Sequence, residues 1–184
     1  MSAPPLSDLV TTPERRTAYT AAGWWDGETL SGRVRAHAVA RPGATAVIDH
    51  DGARRHTFSE LDRDVRSVAG WLVGRGVGPG DVVSVQLPNW YEFVVAAVAA
   101  QSLGAVINPL LPVYRRKELM HVFEVARPKV MFTPASYRGH DHVAATKEAI
   151  EEAGVPVDHV VVEGGLPTAA PRRPGPRMPR RCPS

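Results

Sequence analysis

The glycines between positions 74 and 80 form the run whose spacing most suggests chemistry, because glycine-rich loops can cradle phosphates with their backbone amides. A phosphate loop of that kind leaves a strand and opens a helix. Here the run closes a helix and leads into a strand, and Pro79 breaks the Gly-x-Gly-x-x-Gly spacing. We therefore interpret residues 74–80 as a helix end followed by a turn.

His140 and His142 have side chains that could bind a metal ion, with Asp141 between them. Two histidines two positions apart are a weak metal signature without a third ligand. The single cysteine, Cys182, lies in the C-terminal tail and adds no ligand to the body. We interpret residues 140–142 as a surface loop and predict no metal site.

Charged groups are the remaining candidates. Residues 115–117 could attract an anion, but cations at a helix start oppose the helix dipole, and a solvated helix start beside Glu118 explains them better. Two pairs of carboxylates fall on polar helix faces: Asp62, Asp64, Glu151 and Glu152. The chain contains no Gly-x-Ser-x-Gly elbow and no Walker pattern. We assign no catalytic, cofactor-binding or metal-binding residue.

The elements that would position any site alternate between helix and strand from residue 57 onward. Thr57 and Glu60 fit a capping box, and the helix after it places Leu61, Val65 and Leu72 on one face. Strands are predicted at 82–87, 105–107, 129–133 and 157–162, and the intervening helices at 90–103, 115–126 and 136–153. Such alternation predicts an α/β fold with a mostly parallel sheet and flanking helices.

The front of the chain follows a different pattern. Residues 1–27 have little periodicity and are predicted to be an arm, which Trp24 and Trp25 pin to the body by packing. A helix is predicted at 30–40, and strands 45–49 and 54–57 are predicted to pair through a turn at 50–53. The domain boundaries predicted are an arm at 1–27, a body at 28–165 and a disordered tail at 166–184.

Charge separates the tail from the body. The 184 residues carry 22 Lys+Arg and 19 Asp+Glu, a formal charge of +3. Five arginines and no acid lie in residues 167–184, so the rest holds 17 cations against 19 acids. A mildly acidic body argues against a nucleic-acid partner, and the tail would make a salt-sensitive contact at most.

The N-terminal residues and the longest apolar stretch bear on the location of the protein. The N-terminus begins Met-Ser-Ala-Pro-Pro, without the basic and apolar regions of a secretory signal. The longest apolar stretch, 93–100, is shorter than the ~20 residues of a membrane span. We expect no membrane span and a cytoplasmic location.

Several strings, taken in order, resemble the AMP-forming acyl-CoA synthetases of the adenylating ligase superfamily. These are Thr-Ala-Val-Ile-Asp at 45–49, Thr-Phe-Ser-Glu-Leu at 57–61, the run 76–89, Leu-Gly-Ala-Val-Ile-Asn-Pro at 103–109 and Glu118-Leu119. Residues 108–115 and 137–140 look most like cyclohexanecarboxylate and medium-chain acyl-CoA ligases. The resemblance spans about residues 17–163, and each string alone is weak.

This resemblance implies an incomplete N-terminal subdomain of the adenylating-ligase fold. In the family, a carboxylate attacks the α-phosphorus of Mg-ATP, giving acyl-adenylate and pyrophosphate, and the thiol of coenzyme A then displaces AMP. The family's phosphate loop, which ends in Pro-Lys-Gly, is absent from the 184 residues. None of Lys117, Lys129 and Lys147 lies in a matching motif. We expect this chain to bind no cofactor, although the family uses ATP, Mg and coenzyme A.

Two interpretations of the product remain open. Residues from about Leu166 have the Arg/Pro/Gly/Ala composition of GC-rich DNA read out of frame. That composition predicts a ligase truncated by a frameshift or gene-model error and inactive by itself. The alternative is a stand-alone protein-interaction module that reuses the ligase subdomain.

Overall fold

A four-stranded parallel sheet forms the centre of the protein, whose computed structural model describes residues 11–49 and 54–168. The helices are α1 (Pro13–Ala21), α2 (Leu30–Ala40), α3 (Phe58–Gly74), α4 (Tyr91–Ser102), α5 (Arg116–Ala126) and α6 (His142–Ala153). The strands are β1 (Thr45–Ile48), β2 (Arg55–Thr57), β3 (Val82–Val85), β4 (Val106–Pro109), β5 (Val130–Pro134), β6 (Ser136–Tyr137), β7 (His140–Asp141) and β8 (Asp158–Val162). The central sheet has the order β4-β3-β5-β8, and the predicted α/β class is confirmed.

Helices cover both faces of this sheet. Helices α2, α3 and α4 pack on one face and α5 and α6 on the other. Because side chains alternate across a strand, Val130 and Phe132 of β5 join the first core while Met131 between them joins the second. All three are fully buried, which explains why β5 is apolar without alternation.

Helix α3 shows how local sequence sets an element. Glu60 donates its backbone N–H to Thr57 Oγ1 at 3.2 Å, and Thr57 donates its own to Glu60 Oε2 at 2.8 Å, as the capping box predicts. The buried face consists of Leu61, Val65, Val68 and Leu72. The glycine run then ends the helix, with Gly76 at φ +73°, so this prediction is confirmed as well.

The prediction of a helix from residue 136 is wrong at its start. Residues 136–141 form the antiparallel hairpin of β6 and β7, and α6 begins only at His142. The turn consists of Arg138 and Gly139, both with positive φ, as a two-residue type I′ turn requires. Asp141 then caps α6 by accepting the N–H of Ala144 at 2.9 Å.

The N-terminal arm also differs from prediction. It contains the helix α1, which Thr12 caps and Pro13 opens, and no residue of α1 is buried. Trp24 and Trp25 do not pack into the body: their exposed fractions are 73% and 42%, and their rings contact Tyr19 of the arm. The expected packing of this pair onto the body is therefore wrong.

Strands β1 and β2 pair antiparallel beside α3, as predicted, while the turn predicted at 50–53 lies outside the described residues. The tail from residue 169 onward also lies outside them. Leu166 is half-buried against the core that contains α3 and α4. None of the helices in the described ranges is long and apolar enough to cross a membrane.

Candidate functional site

The carboxyl ends of the four parallel strands meet at one edge of the sheet, where α/β proteins commonly bind ligands. Three loops surround this edge: residues 86–90 after β3, residues 110–115 after β4, and the β6–β7 hairpin after β5. The amino-terminal end of α4 lies beside the first of these loops.

Gln86 is the buried centre of this edge. Its side chain is inaccessible to solvent, and Nε2 donates to the carbonyl oxygens of Leu111 at 3.1 Å and Tyr114 at 3.0 Å. Its backbone N–H donates to the Phe132 carbonyl at 2.8 Å. One side chain directly after β3 thereby holds the loop that follows β4.

His142 lies on the other side of the Gln86 amide. Because Gln86 Nε2 is committed to two carbonyls, its Oε1 faces His142 Nδ1 at 3.4 Å, and that nitrogen must carry the proton. Burial, and then electrostatic interactions with His140 and Arg115, lower the pKa of His142 to about 4. The imidazole is therefore neutral at pH 7.

The prediction of a surface loop at residues 140–142 is wrong for His142, whose exposed fraction is 1%. The rings of His140 and His142 lie 4.8 Å apart and nearly perpendicular. Within residues 11–49 and 54–168 no group of three potential ligands could hold a metal ion. The two rings contact each other where the β6–β7 hairpin meets α6.

Two further polar pairs bridge neighbouring strands. Asn108 Nδ2 donates to Ser84 Oγ at 3.1 Å, and Thr133 Oγ1 lies 2.8 Å from His159 Nε2. Burial, followed by the charge of Lys147, lowers the pKa of His159. These pairs satisfy polar groups inside the sheet.

A cleft of about 330 Å³ opens between the three loops. Trp90 and Tyr137 face each other across it edge to face, with ring centroids 6.2 Å apart. Leu111 and Val113 expose 58% and 62% of their surface beside it. The lining is Pro88, Asn89, Trp90, Leu111, Pro112, Val113, Tyr137 and Arg138. This cleft is the candidate site, and sequence reasoning assigned none of its residues.

A second cleft, of about 410 Å³, lies between α3, the start of α4 and residues 165–168. On its wall the hydroxyl of Tyr91 donates to Asp64 Oδ2 at 2.9 Å, and the His56 ring stacks on Tyr91 at 3.6 Å. Burial, and then Asp64, raise the pKa of Tyr91, so it stays a phenol at neutral pH. The sequence predicted only that Asp64 lies on a polar helix face. In the structure Asp64 also accepts a hydrogen bond from Tyr91.

The remaining sequence candidates lie apart from both clefts. Lys129 donates to Asp81 Oδ2 at 2.9 Å and to the Gly76 carbonyl at 2.7 Å, at the amino edge of the sheet. Arg115 and Glu118 form a helix cap, as the solvated start of α5 predicts. Glu152 pairs with Arg116.

The described residues do not fit a nucleotide. Lys129 is committed to Asp81 at the far edge, and the glycine run at 74–80 ends a helix, so its amides do not gather at a helix start. No step of phosphate chemistry can be derived from these residues.

Comparison with known proteins places these observations in a family. A family model described as "AMP-binding enzyme" matches residues 34–178. The chain is 37% identical over 125 residues to the medium-chain fatty-acid–CoA ligase of Escherichia coli, covering 68% of this chain and 22% of that ligase. The apo structure of MbtA from Mycobacterium smegmatis superposes with a TM-score of 0.70 and 33% identity, over 88% of this chain and 32% of that one.

Some relatives are much longer than this chain, and one has nearly the same length. The chain spans about a quarter of the length of the first curated relatives it matches. An uncharacterized protein of Mycobacterium tuberculosis is 32% identical over 135 residues, which are 73% of this chain and 72% of that protein. The two proteins are therefore nearly equal in length.

Proposed function

The chain belongs to the AMP-binding enzyme family, and from that premise we propose that it supplies the N-terminal part of an AMP-dependent carboxylate–CoA ligase. The complete enzyme would activate a fatty or alicyclic carboxylic acid with ATP to an acyl-adenylate and pass the acyl group to coenzyme A. The supporting observation is that two thirds of this chain aligns with a medium-chain ligase of which it spans 22%. ATP and coenzyme A are intracellular substrates, so the proposal carries a cytoplasmic location.

We further propose that the 184-residue chain is inactive by itself. Adenylyl transfer depends on charge positioned around the phosphates of ATP. The chain has no Ser/Thr/Gly-rich stretch ending in Pro-Lys-Gly, and Lys129 is committed to Asp81. What the chain contributes is the sheet, whose carboxyl edge carries the loops around the cleft.

ATP–pyrophosphate exchange tests this proposal. The 184-residue chain and a longer product, encoded by the gene and its downstream DNA in whichever frame continues the ligase, are assayed with a panel of medium-chain and alicyclic acids. We expect no exchange from the short chain and acid-dependent exchange from the longer product. Exchange by the purified short chain contradicts the proposed inactivity. Downstream DNA without adenylation motifs in any frame contradicts the proposed ligase.

A stand-alone interaction module is the second candidate, favoured by the relative of nearly equal length. Such a module must fold cooperatively and stay monodisperse without a ligase around it. Light scattering after size exclusion, combined with urea unfolding, measures both properties. A monomer with one cooperative transition supports the module, whereas concentration-dependent aggregation through exposed apolar surface supports the ligase part.

A further inference from the structure

We propose that the cleft between α3 and the start of α4 holds the chain's own basic segment, residues 169–184, with Arg172 and Arg173 against its acidic side chains. The second cleft is thereby an interaction surface for a segment of the same chain. This inference goes beyond the proposed ligase function, because the contact needs neither ATP nor any part of a longer enzyme.

The described chain leads into this cleft. Gly165, Leu166 and Thr168 line it, and Leu166 is half-buried against the core that contains α3 and α4. Because Thr168 is the last residue that the structure describes, the basic segment starts at the cleft itself. Arg172 follows four residues later, and four residues span at most ~14 Å. The first arginines of the segment therefore stay close to the cleft.

The cleft and the basic segment carry opposite charges. In the part of the chain that the structure describes, the carboxylates of Glu60, Asp64 and Glu92 line the cleft beside one guanidinium, that of Arg63. Three acids against one arginine leave a formal charge of −2. Residues 169–184 contain five arginines and no acid, and the adjacent pair at 172–173 supplies the two positive charges that balance the lining.

Glu92 is the carboxylate of the lining that has no partner. Asp64 accepts from Arg63 Nε and from the Tyr91 hydroxyl, each at 2.9 Å. The Glu92 side chain is half-buried in the first turn of α4, and within residues 11–49 and 54–168 it forms no ion pair or hydrogen bond. A guanidinium can bind such a carboxylate through two parallel N–H···O bonds. Glu92 therefore offers an incoming arginine a free acceptor.

Covalent attachment favours a contact that would be weak between separate molecules. A segment joined to its site by a short flexible linker meets that site at an effective concentration in the millimolar range. Pro171 and Pro174 flank the arginine pair, and proline restricts the backbone before docking, which lowers the ordering cost. The charges are only partly buried, so salt should weaken the contact.

A nitroxide on Cys182 tests the proposal, because this single cysteine lies in the basic segment and labelling needs no substitution. Broadening of backbone amide signals in the 184-residue chain at pH 7 shows which surface the segment meets. In low salt we expect strong broadening of Ser67, which lines the cleft, and little of Glu124 on α5, across the sheet. Equal broadening of the two signals overturns the proposal.

Salt separates docking from simple proximity. A free segment of 14 residues would also keep the label roughly 20 Å from Thr168. Docking through charge predicts that the broadening of Ser67 falls about twofold or more in about 1 M salt, where the Debye length is ~3 Å. Broadening that salt leaves unchanged contradicts the proposal.

The basic segment contains its own matched control. Replacing Arg172 and Arg173 together by Gln removes two charges, and so does replacing Arg180 and Arg181 by Gln. Both double variants lie outside the body, so its fold is retained. The first should reduce the broadening of Ser67 about as much as salt does, and the second should leave it nearly unchanged. Equal effects refute the placement of the 172–173 pair.

The acidic side of the contact is tested in the body. Glu92→Gln should reduce the broadening of Ser67, while Glu124→Gln, which removes one charge from an exposed position on α5, should not. A nitroxide-labelled chain is also mixed with an isotope-labelled Cys182→Ser chain. Broadening in that mixture would show docking on a second copy and would overturn docking within one chain. None of these signals depends on ATP–pyrophosphate exchange, so either proposal can fail while the other holds.

Discussion

Replacing Gln86 by Leu should destabilise the protein by about 2–4 kcal/mol, although the new side chain is apolar and enters a buried position. The substitution removes two donated hydrogen bonds, to the carbonyls of Leu111 and Tyr114, and the acceptor that faces His142 Nδ1. A hydrogen bond contributes about 0.5–1.5 kcal/mol net, and a buried polar group left without a partner costs about 1–3 kcal/mol.

The solvent exposure of the loop at residues 110–115 determines how large the destabilisation by Gln86→Leu is. Leu111 is more than half exposed, so water can reach part of the freed loop backbone, whereas His142 is 1% exposed and cannot be rehydrated in place. One full penalty of about 1–3 kcal/mol at His142 together with the two lost hydrogen bonds gives about 2–6 kcal/mol, and hydration of the freed loop carbonyls selects the lower part of that range, about 2–4 kcal/mol.

Urea unfolding at pH 7 measures this free energy, and hydrogen exchange of the Leu110 amide, which donates to the Val85 carbonyl at 2.9 Å, reports the loop. Gln101→Leu is the matched control, because Gln101 is exposed on α4. The control should change stability by less than about 0.5 kcal/mol. Equal effects of the two variants would show that the Gln86 network is not stabilising.

Three further outcomes are expected. Thr57→Ala should cost about 1 kcal/mol in urea unfolding, while Thr12→Ala, at the cap of the arm helix with no buried residue, should cost almost nothing; equal losses would contradict the fold. The folded-state pKa of His142 lies below its ordinary value, so the unfolded chain binds more protons than the folded chain between pH 6.5 and 4. The free energy of unfolding should therefore fall by up to ~3 kcal/mol as the pH falls through that window. His142→Gln should flatten this pH dependence, and an unchanged slope refutes the assignment. Arg127→Gly should stabilise by about 0.5–1 kcal/mol in thermal or urea unfolding, because glycine tolerates the left-handed position that ends α5; a loss of stability would contradict that backbone geometry.

Much of the fold followed from local patterns. The capping box of Thr57 and the apolar face of α3 are set within a few residues, and both are confirmed. A strand was predicted at 82–87, and β3 lies there, between β4 and β5. The order of strings that resembles acyl-CoA synthetases is confirmed by the family match over residues 34–178.

The elements that prediction missed were of two kinds. Thr12-Pro13 is a cap followed by a proline at the first helical position, a local signal that could have identified α1. The β6–β7 hairpin carried a weaker signal, because Arg138 occupies a place where Asn is usual and only Gly139 indicates the turn.

The candidate site could not be read from the sequence, because its parts meet only in the folded sheet. Gln86 and His142 are 56 positions apart, and nothing near either residue predicts that both are buried. A histidine at the start of a polar-looking segment is ordinarily exposed, whereas His142 is buried because the start of α6 lies beside Gln86. We expected no site residues because the sequence carries no catalytic motif, and an apolar cleft does not require one.

Stability and the position of the cleft loops are coupled through Gln86. The Gln86 amide donates to the Leu111 carbonyl and faces His142 at the start of α6. Neither the loop after β4 nor the start of α6 can therefore move away from Gln86 without breaking a contact of this amide. Removing that amide should therefore loosen the 110–115 loop as well as lower stability, and hydrogen exchange of the Leu110 amide reports the loop. A buried polar residue costs stability when its partners are lost, and the partners of Gln86 are the two sides of a cleft. The network is thus better explained by the fixed separation of those two sides than by its net contribution to folding.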